Sequence, residues 1–124
     1  MENHKVVMPE NLNHYGYLFG GDLLKWVDEY AWIAASLDYP GCNFVTIGLD
    51  KVEFKSSVKG GTILSFIVEK IKQGNTSVQY MVKVFHGNSI GKNKSPVFHT
   101  HVTFVCVDEK GKKKKILMSK NPNT

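Results

Sequence analysis

A chain of 124 residues with 42% apolar and 22% charged side chains has the balance of one ordinary globular domain, able to bury a single core. No apolar run approaches the roughly 18 residues of a membrane span, and the opening MENHKVVMPE lacks a signal-peptide core, so a cytosolic location is expected. The net charge of +5 is carried by lysine alone, without the arginine fork that reads guanine, which argues against a nucleic-acid-binding domain.

Residues 4–8 (HKVVM) are a short apolar run stopped by Pro9, which predicts a first strand, and residues 9–18 read as loop. The stretch NHYGYLFGGDLLKWVD, residues 13–28, then passes from turn-forming residues through a glycine pair into an apolar-periodic run. It predicts a helix from Gly20 or Asp22 to Leu37, ended by Asp38-Tyr39-Pro40-Gly41. Leu23, Leu24, Val27, Tyr30, Ala31, Ala34 and Ala35 share its apolar face, and the alanines permit close packing on a curved sheet.

Gly20 and Gly21 leave the first helical N–H groups uncovered, so a polarised carbonyl oxygen can sit against them. Gly21 and Asp28 stand about 20° apart on the helical wheel, two turns along, which stations a carboxylate on the same face as that oxyanion site. Asp28 falls at the edge of the apolar face, where partial desolvation suits a general base. This is a hydrolase geometry in outline. Read alone, Asp28 also fits a solvated helix surface, and Asn13 an ordinary turn.

Beyond the helix the period changes to two. Residues 44–54, 62–72, 77–86 and 96–108 read as four long strands. They are joined by a turn ending in Gly60-Gly61, a hairpin turn at Gln73-Gly74-Asn75 and a longer connection at 87–95. The result is a single α+β domain over 1–124, an antiparallel meander wrapped around one long helix. Val78, Tyr80, Val82, Val84, Phe98, Phe104 and Val105 are expected to supply the sheet's edges and outer face, for which self-association is the natural cover.

Asp108-Glu109-Lys110-Gly111 closes the last strand as a turn. Lys110, Lys112, Lys113, Lys114, Lys115 and Lys120 crowd the last fifteen residues, a like-charge block expected to be a solvated, frayed tail from about residue 109. Cys42 and Cys106 lack CxxC spacing and are expected as buried free thiols. His99 and His101 alternate on one strand face with no third ligand in view, so a surface or interface pair is expected rather than a metal site. No Gly-x-Ser-x-Gly elbow occurs, which argues against a serine nucleophile.

Three motifs carry a family resemblance. The first is Asn13, Gly16, Phe19-Gly20-Gly21 and Asp28; the second is Gly74-Asn75-Thr76-Ser77-Val78. The third is Phe104-Val105-Cys106-Val107-Asp108-Glu109-Lys110-Gly111. In this order, and spanning nearly the whole chain, they resemble the hotdog-fold acyl-CoA thioesterases, closest to the broad-range bacterial and cytosolic acyl-CoA hydrolases. The sequence departs from that pattern at Ser57, where proline is frequent, at Gly61-Thr62, where Gly-Asp is, and in its missing arginines.

The resemblance implies hydrolysis of acyl-CoA to a free acid and coenzyme A, with Asp28 as general base or nucleophile. It also implies Gly20 and Gly21 as oxyanion donors and Asn13 reaching across a dimer interface to the aspartate. Gly16, Phe19, Gly61, Gly74, Thr76, Ser77 and Val78 are then expected at the substrate, and Lys55, Lys59, Lys92 and Lys94 are candidates for the nucleotide phosphates. No metal or redox cofactor is implied, coenzyme A being part of the substrate. The implied assembly is a homo-oligomer, a dimer at least and a trimer of dimers in the family. Two rivals stand beside this reading. A non-catalytic acyl-CoA-binding or lipid-binding module has no need of Asp28. A hotdog dehydratase needs a histidine near the helix, and His14 is off the pattern.

Overall fold

Where the residue period changes, the backbone changes with it. The computed structural model describes residues 1–87 and 95–116. Within them run β1 (Glu2–Val6), a 3-10 turn (Pro9–Asn11), α1 (Gly20–Asp38), β2 (Asn43–Phe54), β3 (Ile63–Gln73), β4 (Ser77–His86) and β5 (Phe98–Val107). The first strand lies two residues earlier than its apolar run suggests, because Glu2 and Val6 pair with Ile67 and Ile63 of β3. Among the described residues no helix is long and apolar enough to cross a membrane.

The strands form one antiparallel sheet in the order β1-β3-β4-β5-β2. The expected meander is therefore only partly present. β3, β4 and β5 are hairpin neighbours, but β2 pairs with β5, from Asn43 opposite Val107 to Phe54 opposite Phe98. The chain between β2 and β3 crosses from one side of the sheet to the other, with Val58 buried beneath it. A polar, glycine-ended connection looks the same in sequence whether it joins neighbours or crosses over. The buried Val58 is what distinguishes the two.

Strand alternation builds the core. Leu64, Phe66 and Val68 of β3, Val82 and Val84 of β4, and Phe98, Val102 and Phe104 of β5 all point at α1. Val78 and Tyr80 join them, so six of the seven residues expected at the edges and outer face are core instead. Val105 alone lies on the other face. The outer face between β4 and β5 carries polar side chains such as Gln79 and Thr103, hydrogen-bonded at 3.1 Å.

The helix meets this surface through Leu23, Trp26, Val27, Ala31, Ala34 and Ala35, with Leu24 and Tyr30 packed at the margin. Trp26 completes the predicted face, its ring edge-on to Phe66 at 6.4 Å. Cys106 is a buried free thiol, as expected, whereas Cys42 is only partly buried.

The lysine-rich end is not frayed as far as the described residues go. After the turn at Gly111, where φ is 80°, Lys114 N–H bonds the Cys106 carbonyl at 2.8 Å and Ile116 N–H bonds the Asn75 carbonyl at 2.7 Å. Ile116 enters the core at 5% exposure, and one apolar side chain beyond the lysines holds them on a fixed ribbon. Lys120 lies outside the described residues. Replacing Ile116 with Ala is expected to cost about 2–4 kcal/mol, read as a lower urea midpoint at unchanged slope.

At the C-terminal end of α1 the Tyr80 hydroxyl donates to Asp38 at 2.6 Å. Burial first, then that bond and the Asp38 charge, hold the phenol far above its ordinary value of 10.0. The unfolded chain releases this proton above about pH 10 and the folded chain keeps it, so the stability it supplies is full below pH 10 and drains above it. The alkaline fall in unfolding free energy is accordingly expected to be shallower in Tyr80→Phe.

Candidate active site

The site is built at the N-terminal end of α1. The loop before it closes on Asn13, whose side-chain oxygen accepts the N–H groups of Tyr15 at 2.9 Å and Tyr17 at 3.2 Å. Gly16 completes the turn at φ 86°. The turn reading of Asn13 is thus correct, and it leaves the functional one standing: its Nδ2 donates no hydrogen bond among the described residues. Backbone bonds from Leu18 to Val58 and from Phe19 to Asn11 seat the loop on the crossover.

Phe19 is the N-cap, and its carbonyl takes the N–H groups of Asp22 and Leu23 at 3.1 and 3.2 Å. The N–H groups of Gly20 and Gly21 have no backbone acceptor among the described residues, which is the ordinary state of a first helical turn. A Cβ at Gly21 would stand 2.7 Å from the Phe19 ring, so glycine there lets that ring lie across the helix start. Asp22 accepts from Asn11 Nδ2 at 3.0 Å, a carboxylate well placed against the positive end of the helix. In front of these groups opens a cleft of about 630 Å³, bounded by Asn13, Tyr17, Gly20, Phe54, Lys55 and Ser57.

Asp28 lies two turns further on, half-buried, on the flank of α1 that faces β2. Thr46 donates its hydroxyl to Asp28 Oδ1 at 2.7 Å, which leaves Oδ2 for water or a ligand. β2 is an edge of the sheet, bent by bulges at Thr46/Gly48 and Asp50/Glu53, with Lys51 in the left-handed region at φ 54°. Val45, Ile47, Val52 and Phe54 are exposed along it. Asp28 therefore stands beside an open, apolar sheet edge.

Of the residues singled out in the sequence, the structure gathers Asn13, Gly16, Phe19, Gly20, Gly21 and Gly61 at this end. Gly61 sits at φ 84°, its N–H bonded to the Val7 carbonyl at the start of the crossover's return. It does not gather the rest. Asn13 and Gly20 share the cleft, and Asp28 is not among its walls.

Gly74, Thr76, Ser77 and Val78 belong to the far end of the helix, beside Gln73, whose side chain accepts from Tyr39 at 2.6 Å. A 19-residue helix, about 28 Å long, separates them from Gly20 within one subunit. There the Ser77 carbonyl accepts the Gly74 N–H, the Thr76 carbonyl accepts from Cys106, and the Val78 side chain is core. Lys55 lines the cleft and Lys59 lies exposed nearby, while Lys92 and Lys94 lie outside the described residues.

Thr46 is the residue that reading the sequence misses. Its signal is a lone hydroxyl two positions from Phe44 on the same strand face, where an apolar residue is expected. His14 is exposed on the loop, its ring against Tyr15 at 4.0 Å and off the helix. His99 and His101 form a pair on the outer face, ring centres 5.3 Å apart. Burial holds His101 below the usual histidine range, against the pull of Asp50 at 3.9 Å. No group of three metal-ligating side chains occurs among the described residues.

Comparison with known proteins bears on the family and the fold. The model of the thioesterase superfamily matches residues 15–90. Mouse acyl-coenzyme A thioesterase 11 is 28% identical over 110 residues, which is 89% of this chain but only 18% of that much longer relative. Among solved structures, a hexameric hotdog-fold thioesterase of Campylobacter jejuni is 35% identical with a TM-score of 0.80, covering 93% of this chain and 88% of its own.

An acyl-CoA hydrolase of Staphylococcus aureus, solved with butyryl coenzyme A and coenzyme A, is 28% identical with a TM-score of 0.80, over 96% of this chain and 69% of its own. That hydrolase has also been solved with alanine in place of an aspartate, a threonine and an asparagine. The mutated asparagine and aspartate stand 15 positions apart there, the spacing of Asn13 and Asp28 here.

Proposed function

The chain belongs to the thioesterase superfamily, and on that premise we propose that it hydrolyses acyl-CoA thioesters to the free acid and coenzyme A, with Asp28 activating the water. The observation that carries this is the Asp28 carboxylate, held by Thr46 at 2.7 Å on the helix flank and two turns below the unbonded N–H groups of Gly20 and Gly21. The rise between them is about 10 Å, shortened because the Asp28 side chain tilts back toward the helix start.

In the proposed reaction Asp28 takes a proton from water as its oxygen adds to the thioester carbon. The charge that builds on the carbonyl oxygen lies against the glycine N–H groups and the positive end of the helix, commonly the largest single contribution to such catalysis. As the carbon–sulfur bond breaks, the departing thiolate takes the proton back from Asp28. A direct attack by the carboxylate, through an anhydride that water then opens, uses the same groups. The scheme draws on water and the chain's own side chains, with no metal or redox group written into it.

We further propose that the site is completed by a second copy of the chain. Pairing along the open β2 edges would run the two helices antiparallel, so that Asn13 of one subunit approaches Asp28 of the other. The same pairing would carry Gly74, Thr76 and Ser77 of one subunit toward the cleft of its partner, where hairpin hydroxyls and N–H groups suit the pantetheine arm and phosphates. The C. jejuni relative is hexameric, which supports assembly beyond a dimer; we propose a trimer of such dimers, and the cytosol as its setting.

Thiol release from acyl-CoAs of graded length tests this, with a protein-only blank for Cys42 and Cys106. Asp28→Ala is expected to lower kcat by about 10²–10⁴-fold while acyl-CoA binding persists. Thr46→Val, which removes a charge-assisted hydrogen bond of 2.7 Å, is expected to lower it roughly 10–100-fold. Tight binding with no turnover at any chain length would replace hydrolysis with a binding function.

Mixed assemblies test the shared site. Co-expressed Asn13→Ala and Asp28→Ala chains, each inactive alone, are expected to recover about a quarter of wild-type activity, because half the dimers are mixed and each holds one intact site. No recovery would put both residues in one subunit's site.

A further inference from the structure

One turn beyond Asp28 the same flank of α1 carries Trp32. Its indole N–H donates to the Phe44 carbonyl at 3.1 Å, while Thr46, two residues along β2, donates to Asp28 at 2.7 Å. Carboxylate and indole are thus pinned side by side to one stretch of the edge strand, about 6 Å apart along the helix. Trp26, the other tryptophan, is 6% exposed and belongs to the core, whereas Trp32 is 45% exposed. An anchored, half-exposed indole beside a reactive carboxylate is a ready surface for an apolar group.

The two directions away from Asp28 differ in chemistry. Toward the helix N-terminus lies the cleft, with Lys55, Ser56 and Ser57, which suit the polar arm and the phosphates. In the other direction the flank offers the face of Trp32. A thioester with its carbonyl carbon at Asp28 and its coenzyme arm in the cleft lays its acyl chain on that ring.

Resting on the hydrolase reading above, we infer that Trp32 walls the acyl groove and sets the chain length the protein takes. The rise of about 6 Å accepts roughly four or five methylenes in extended form before a chain must bend around the indole. Short acyl groups are therefore preferred, and shortening the side chain at position 32 lengthens the groove.

The test compares wild type, Trp32→Ala and Trp32→Leu on acyl-CoAs from butanoyl to hexadecanoyl. It reads kcat/KM, affinity for the matching non-hydrolysable thioether analogues, and the assembled mass. The ratio of long-chain to short-chain kcat/KM is expected to rise about tenfold or more in Trp32→Ala and by less in Trp32→Leu, with analogue affinities moving alike. An unmoved ratio in both variants overturns the inference, and so does a change of assembled mass with the ratio unmoved, which makes Trp32 a subunit contact. If Trp32→Ala does not fold, the direction of the shift in Trp32→Leu decides. If wild type turns over nothing, the hydrolase reading fails separately, and a shift in analogue affinity still supports the groove while its absence overturns it.

Discussion

The close approach of α1 to its sheet is the constraint on which the rest of the molecule depends, and alanines make it. Ala31 and Ala35 are fully buried against the strands beside Val27. With so little side chain between them, helix backbone and sheet come near enough for short polar side chains on the flank to bridge the gap. Thr46 reaches Asp28 at 2.7 Å and Trp32 reaches the Phe44 carbonyl at 3.1 Å. A leucine at 31 or 35 would lift the helix, and hydrogen bonds of this length do not survive a displacement of an ångström.

The two ends of the helix are finished differently. At the C-terminal end Tyr80 binds Asp38, Lys70 donates to the Tyr39 hydroxyl at 2.9 Å with its ammonium over that ring, and Tyr39 donates to Gln73. These bonds lock the end. At the N-terminal end the N–H groups of Gly20 and Gly21 have no backbone acceptor among the described residues, Gly20 lines a cleft, and Asp22 in the first turn offsets the helix dipole. A ligand carrying partial negative charge is served by the second end and not by the first.

The edges of the sheet divide labour in the same way. β1 is a short edge of five residues, and β2 is a long one of twelve, bulged and lined with exposed apolar side chains. Asp28 lies beside the long edge, whereas the hairpin with Thr76 and Ser77 lies at the opposite end of the helix. One subunit holds the parts of a proposed thioesterase site without bringing them together, which is what a site shared between antiparallel neighbours requires.

Much of this was legible in the residues themselves. Helix, strand lengths, the β3–β4 hairpin and a glycine pair at the helix start are local consequences of period, turn chemistry and missing side chains, and Gly21 and Asp28 share a face because helical geometry is regular. Tertiary structure alone decided the partners. That β2 lies beside β5, that Thr46 is the group under Asp28, that Val78 and Tyr80 face the helix, and that Ile116 ties down the lysine ribbon all depend on contacts between segments far apart in the chain. Local pattern says which side of a strand is apolar. It cannot say which strand lies next to it, since pairing is set by how all the apolar faces close around one helix at once.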